Sequence, residues 1–296
     1  MIGIGLHIGN RVMGGGGAAP FVGLLDTYPS AAAAYSVRLL RSAYTGSAIR
    51  VRRSSDNTEQ NIGFTALGNL DESALTSFCS GTNGFVTTWY DQSGNNYDTT
   101  QTTAANQPKI VNAGSIITKN SKPAVTWDTT DALLKTGLTI DNSVASFFYV
   151  AEQTIENTSG GIAQLMPSAG SSDSSSNTCL MLETASPSNR VAFLNAYANF
   201  ELFETGTGPT PYALRTAIRT LSFAQIWKNA VSQASVTASL SSGTSTGVLL
   251  GQRYIAAVSS TLGLNGPIQE VVIYLSNQNS NRSAIESNIN TYYAIY

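Results

Sequence analysis

Residues 268–274 read Ile268-Gln-Glu-Val-Val-Ile-Tyr274. Most of these side chains are β-branched or aromatic, and such residues favour pleated over helical backbone. Asn265-Gly-Pro267 precedes the run and Ser276-Asn-Gln-Asn-Ser280 follows it, so turn formers bound it at both ends. A short apolar run bounded in this way reads as a core strand.

Similar runs recur along the chain. Going outward from 268–274, they are Gly247-Val-Leu-Leu250, Leu221-Ser-Phe-Ala-Gln-Ile-Trp227, Val191-Ala-Phe-Leu194, Ser146-Phe-Phe-Tyr-Val-Ala151, Pro123-Ala-Val-Thr-Trp127 and Pro108-Lys-Ile-Val111. Earlier still stand Gly84-Phe-Val-Thr-Thr-Trp-Tyr90 and Ala48-Ile-Arg-Val-Arg-Arg53. Turns rich in Gly, Ser, Asn and Asp separate them, and the Ser/Gly stretch 168–178 reads as a mobile loop. Many short strands with polar turns predict a mainly β chain: a two-sheet antiparallel jelly-roll sandwich. Helices are expected at 30–45, where Ser30 would cap an alanine-rich segment, and at 71–79. A terminal amphipathic helix is expected over 281–293, where Ile285, Ile289 and Tyr292 share a face.

The first residues stand apart. Ile2, Ile4, Leu6 and Ile8 alternate with small or polar residues, and Gly14-Gly-Gly-Gly17 follows. Alternation predicts one strand and the glycine run a hinge, giving a division into an arm (1–20) and a sandwich (21–296). The arm is read as an attachment and oligomerisation element, since an unpaired strand edge seeks a partner. The opening lacks the basic start of a signal peptide.

Of the 296 residues, 42% are hydrophobic and only 11% charged, with a net charge of −2. The 16 basic residues are spread through the chain, so no nucleic-acid footprint is expected. The sequence has no apolar run long enough to insert in a membrane. His7 is the sole histidine, which removes a Ser-His-Asp triad and a histidine metal centre. No cofactor is expected. Asp91, Ser93, Asn95 and Asp98 have the alternating oxygen donors of a weak Ca²⁺ candidate, although the same residues commonly build hydrogen-bonded turns. Arg38, Arg41, Arg50, Arg52 and Arg53 are read as ion-pairing and capping groups. Cys79 and Cys179 are read as free buried thiols. Tyr97, Tyr197, Phe200, Phe203 and Tyr254 fall in or near loops and are the candidate ligand-binding aromatics, because sugar faces stack on rings.

Two stretches carry a family resemblance. Leu40-Arg-Ser-Ala-Tyr44-Thr-Gly46, Ile49-Arg-Val-Arg-Arg53-Ser-Ser-Asp56, Thr76-Ser-Phe-Cys79-Ser-Gly-Thr82 and Trp89-Tyr-Asp-Gln-Ser-Gly94 occur in that order. This resembles the amino-terminal part of the α-L-arabinofuranosidase B catalytic domain. From 121 onward, Lys122-Pro-Ala-Val-Thr-Trp-Asp128, Gly251-Gln-Arg253 and Asn265–Tyr274 resemble a concanavalin/laminin-G-like module. Versions with this ending look like proteins of tailed, crAss-like bacteriophages. Both resemblances imply a two-sheet sandwich.

The arabinofuranosidase resemblance implies two catalytic carboxylates, since glycosidases cleave between an acid and a nucleophile or base. Glu183 stands two or three residues away from the implied nucleophile position, on a strand where an odd shift turns a side chain to the other face. After Leu249-Leu-Gly251, where the implied acid/base would follow, no carboxylate occurs before Glu270, which lies in the core-like strand. The family's vicinal cysteine pair is also missing. The expectation is therefore a non-catalytic bacteriophage virion structural protein at the virion surface: a capsid decoration, head fibre or tail-associated protein. Its expected partners are other virion proteins, further copies of itself and a host-surface glycan. The alternatives are a carbohydrate-binding lectin module and an arabinofuranosidase-like hydrolase.

Overall fold

Gly266–Tyr274 is a strand in which every residue is buried. Ala145–Ala151 pairs along one of its edges, from Ser146↔Tyr274 to Ala151↔Ile268. The other edge is shared by Ala33–Ser36 and Val125–Trp127. All three pairings are antiparallel. With neighbours on both edges and layers on both faces, the strand needs no polar alternation, which explains its continuous apolar run. The computed structural model describes residues 20–154, 160–166, 179–184, 190–195, 200–204, 211–240, 243–252 and 263–296, without the side chains of 160, 179–184, 190–195, 200, 201 and 203.

From this centre the sheet runs both ways. On one side Ala145–Ala151 leads to Ala213–Arg219, Phe223–Lys228 and Val231–Thr237. On the other, Val125–Trp127 leads through Lys109–Asn112 to Gly84–Trp89, flanked by Ile49–Arg53 and Glu59–Ile62. Thr99–Thr100 then hands the sheet to Leu133–Asp141, Thr244–Leu250, Gly160–Met166, Cys179–Thr184, Arg190–Asn195 and Phe200–Phe203. Phe200–Phe203 packs back against Phe223–Lys228 and Val231–Thr237, so the two layers close on each other as an antiparallel β-sandwich.

Trp89 and Trp127 stack in the core with ring centroids 5.8 Å apart, and both are fully buried. Burying a large apolar side chain contributes roughly 1.5–3 kcal/mol, and an aromatic contact adds about 1 kcal/mol. The short helix Glu72–Phe78 forms where expected, capped by Asp71, whose carboxylate accepts the Ala74 N–H. The terminal helix Arg282–Tyr293 also forms. Ile285, Ile289 and Tyr293 are its buried stripe, and Ala294 ends it at φ 50°. Among the described residues no helix is long and apolar enough to cross a membrane.

The helix expected over 30–45 is not formed. Ala33–Ser36 is a strand, in register from Ala33↔Ile273 to Ser36↔Glu270. Ser30 has φ 68°, whereas an N-cap needs extended backbone. Ala33, Ala34, Tyr35 and Ser36 are all buried, leaving no solvent face for a surface helix. The hydrogen-bonding edge of Gly266–Tyr274 outweighs the few tenths of a kcal/mol per residue by which alanine favours helix.

The arginine cluster is used structurally. Arg38 grips Glu270 through two bonds, Nε–Oε2 at 2.7 Å and NH2–Oε1 at 2.9 Å, and Ser36 Oγ donates to the same carboxylate. Arg50 pairs with Glu59 and Arg53 with Asp56, while Arg41 donates to the Ser93 carbonyl and Arg52 to Gln107. Cys79 is a buried free thiol; the Cys179 side chain lies outside the described residues. So do the arm residues Ile2, Ile4, Leu6 and Ile8 and the stretch 168–178.

Candidate active site

The chain leaves the strand Val125–Trp127 through Asp128-Thr-Thr-Asp131 and re-enters the sheet at Leu133–Asp141. The two aspartates close this turn on itself. Asp128 accepts the Thr130 N–H and hydroxyl, each at 2.8 Å. Asp131 accepts the Asp128 N–H, also at 2.8 Å. Reciprocal side-chain-to-backbone bonds of this kind hold a short loop rigid.

Other segments seat the turn. Gly263 lies so close that a Cβ there would stand 2.2 Å from the Thr129 carbonyl oxygen. Gln252 donates to the Thr130 carbonyl at 3.4 Å. At Gly251, φ is +79° and a Cβ would meet the Trp127 indole nitrogen at 1.9 Å, so glycine is required on both counts. Gly263 also bridges to Gly161, and the adjacent Gly160 pairs with Glu183. The backbone of Glu183 therefore stands within two strands of the turn.

An open pocket of about 490 Å³ lies beside the turn. Phe85, Gln107, Lys109, Asn112, Asp128 and Asp131 line it, and Trp127 forms part of its wall. The Phe85 ring carries Arg52 at 4.9 Å and Lys109 at 5.6 Å from its centroid. Gln107 is fixed between Arg52 and the Gln101 carbonyl. The Trp127 indole N–H is buried and has no hydrogen-bond partner. Burial pushes the Asp131 carboxyl up to about 6 and the neighbouring charge of Asp128 adds to this, while the Asp128 N–H and Lys109 pull the other way. A carboxyl at this value holds its proton up to about pH 6 and is mostly ionised at neutral pH.

The residues anticipated as site residues fall elsewhere. Tyr97 is half-buried against the core, its N–H on Asp91 and its carbonyl accepting the Tyr35 hydroxyl; it does not line this pocket. Tyr197 and Tyr254 lie outside the described residues, as do the side chains of Phe200 and Phe203. Asp91 accepts four donors: the N–H groups of Ala34, Ser93 and Tyr97, and the Ser93 hydroxyl. Asn95 donates to the carbonyls of Ala31 and Ala32, and Asp98 accepts the Asp91 N–H. These residues, with Gln92, whose amide ties Leu40 N–H to the carbonyls of Ser36 and Arg38, clamp the first strand. Sequence reading overlooked Asp131, Phe85, Gln107 and Lys109. The available signal was an Asp-x-x-Asp turn directly after a strand that ends in tryptophan.

Solved structures define the class of fold. The chain overlays on a GH54 α-L-arabinofuranosidase soaked with a cyclic sulfate inhibitor, with TM-score 0.66, 17% identity, and coverage of 88% of this chain and 62% of that one. It overlays equally on an arabinofuranosidase complexed with arabinofuranosyl-α-1,2-xylobiose, with TM-score 0.67, 19% identity and the same coverages. The sandwich is thus of the kind found in that enzyme class.

The family model for the catalytic domain of α-L-arabinofuranosidase B matches residues 25–179, more than half of the chain, and the chain belongs to that family. Curated relatives include the probable α-L-arabinofuranosidase B of Aspergillus terreus, 43% identical over 74 residues, which is 25% of this chain and 15% of the relative. The α-L-arabinofuranosidase B of Emericella nidulans is 43% identical over 74 residues, covering 25% of this chain and 14% of its own length. The matched stretch is thus a small part of these relatives, and the chain spans 62% of the solved enzymes.

These findings correct the functional expectation. A non-catalytic virion structural protein at the virion surface is overturned, because the family is one of glycosidases and the relatives are fungal arabinofuranosidases. The non-catalytic expectation rested on the carboxylates at two positions along the chain. A turn remote from both in sequence supplies an acidic pocket, which linear spacing does not display.

Proposed function

We propose that this chain is the sandwich domain of an arabinofuranosidase-type glycoside hydrolase, acting on a glycan that bears arabinofuranosyl groups. The family match over 25–179 carries this reading. The pocket beside the Asp128–Asp131 turn supports it, since about 490 Å³ accommodates a pentose and part of its leaving group. Its chemistry also suits a sugar: an aromatic ring, an amide at Gln107, another at Asn112, and two carboxyl groups. The glycan expected as a bound partner becomes, on this reading, the substrate.

The test is incubation of the purified protein with 4-nitrophenyl α-L-arabinofuranoside and with an arabinofuranosyl-substituted xylo-oligosaccharide. Release of arabinose from either is expected. Failure to release it from both, with the protein folded by circular dichroism, would remove the reading.

A further inference from the structure

Arg52, Phe85, Lys109 and Thr126 stand side by side on four neighbouring strands, in register as Arg52↔Phe85, Phe85↔Lys109 and Lys109↔Thr126. Each is half-buried, whereas the adjoining Val51, Val86, Ile110 and Val125 are fully buried in the core. This alternation puts the four on the outer face of the sheet. Three strand spacings make the row about 14 Å long, more than the width of one sugar ring. Phe85, Lys109 and Thr126 line the open pocket, and Ala104, Ala105 and Ile117 help to wall it. The row is therefore the floor of a groove rather than a flat solvated face.

The side chains of the row differ in how firmly they are held. The Arg52 guanidinium packs on the Phe85 ring and is anchored to Gln107, Asn57 and the Ala104 carbonyl. Lys109 is looser. Its ammonium lies 5.6 Å from the ring centroid, and its hydrogen bond to Asn112 Oδ1 is 3.5 Å long, at the outer limit for such a bond. A ring held in place beside a donor on a flexible stem suits a sugar, whose C–H face packs on the ring while its hydroxyls take the donor.

Resting on the hydrolase reading, we propose that this row is a platform for the neutral main chain of the glycan, holding the polymer by sugars that are not cleaved. Phe85 carries the apolar face of one main-chain sugar. Lys109 turns from Asn112 to donate to the sugar hydroxyls, and the exposed Asn112 amide offers a further bond at the rim. The chain is neutral because Asp128 and Asp131 share the lining with Lys109 and repel a carboxylate. An open groove on a sheet face admits an internal stretch of polymer, which a closed pocket does not. The platform takes no part in bond cleavage.

The experiment titrates unsubstituted xylohexaose, which has no arabinofuranosyl group to release, into the protein by isothermal calorimetry at pH 7. Wild type is expected to bind it saturably. Phe85→Ala is expected to weaken binding by about tenfold or more, and Lys109→Met by about threefold. Phe85→Tyr keeps the ring and should keep the wild-type affinity, which separates loss of the platform from damage to the fold. A xylo-oligosaccharide bearing glucuronate should bind more weakly than the neutral chain. Absence of saturable binding by wild type, unchanged affinity in Phe85→Ala, or tighter binding of the glucuronate-bearing chain overturns the proposal. None of these outcomes bears on arabinose release, so the hydrolase reading is judged separately. Binding without release would keep the platform and remove the hydrolase.

Discussion

Asp131 is a carboxyl whose environment reverses its usual behaviour. Its folded value of about 6 lies above the ordinary 3.8, so between those values the folded protein retains a proton that the unfolded chain releases. Its contribution to stability is therefore complete below about pH 4 and is lost as pH rises towards 6. The loss is about 2 kcal/mol, allowing for the contact of the pocket with water. Asp131→Asn cannot ionise and keeps an acceptor for the Asp128 N–H. Urea unfolding should show the variant equal to wild type near pH 4 and more stable above pH 6.5. Identical pH slopes in the two proteins would show that Asp131 is not the titrating group. Glu270, in the core strand, is gripped by Arg38 through two bonds. Removing one member of such a buried pair typically costs about 3–5 kcal/mol.

At the scale of elements, the terminal helix Arg282–Tyr293 shows how a weak local signal becomes firm through packing. Polar residues dominate its sequence, yet Ile285, Ile289 and Tyr293 are fully buried. Tyr293 also reaches the buried ion pair, its hydroxyl 3.2 Å from Glu270 Oε2. Ile289→Ala should destabilise the fold by about 2–4 kcal/mol, measured by chemical denaturation, since it opens a cavity in a fully packed site. A cost under about 1 kcal/mol would mean that the helix is dispensable to the sandwich. The segment 30–45 is the contrasting element. Its alanines favour helix in isolation, but the unfilled edge of Gly266–Tyr274 and the Asp91 clamp make it a strand.

The whole molecule is stabilised by apolar burial across two layers, with few surface charges. Only 11% of residues are charged, and three of the ion pairs, Arg38–Glu270, Arg215–Glu204 and Arg282–Glu286, are largely buried. Salt screens exposed pairs strongly and buried pairs little. The melting temperature should accordingly shift by less than about 2 °C between 0.02 and 0.3 M NaCl. A larger shift would show that the exposed pairs Arg50–Glu59 and Arg53–Asp56 matter more than their solvation implies.

The sequence by itself determined the apolar strands such as Gly84–Trp89, Ala145–Ala151 and Gly266–Tyr274, the short helix after Asp71, the terminal helix and, through the ordered Tyr90-Asp91-Gln92-Ser93-Gly94 motif, the family. Those features are local, because side-chain type, spacing and turn residues act over a few neighbours. Tertiary structure alone decided that 30–45 would hold a strand, that Arg38 would find Glu270 across 232 residues, and that Asp131 would face an open pocket beside Lys109. Pairing, burial and the resulting change in a carboxyl's proton affinity arise from groups distant in the chain, and their proximity exists only once the two layers have closed.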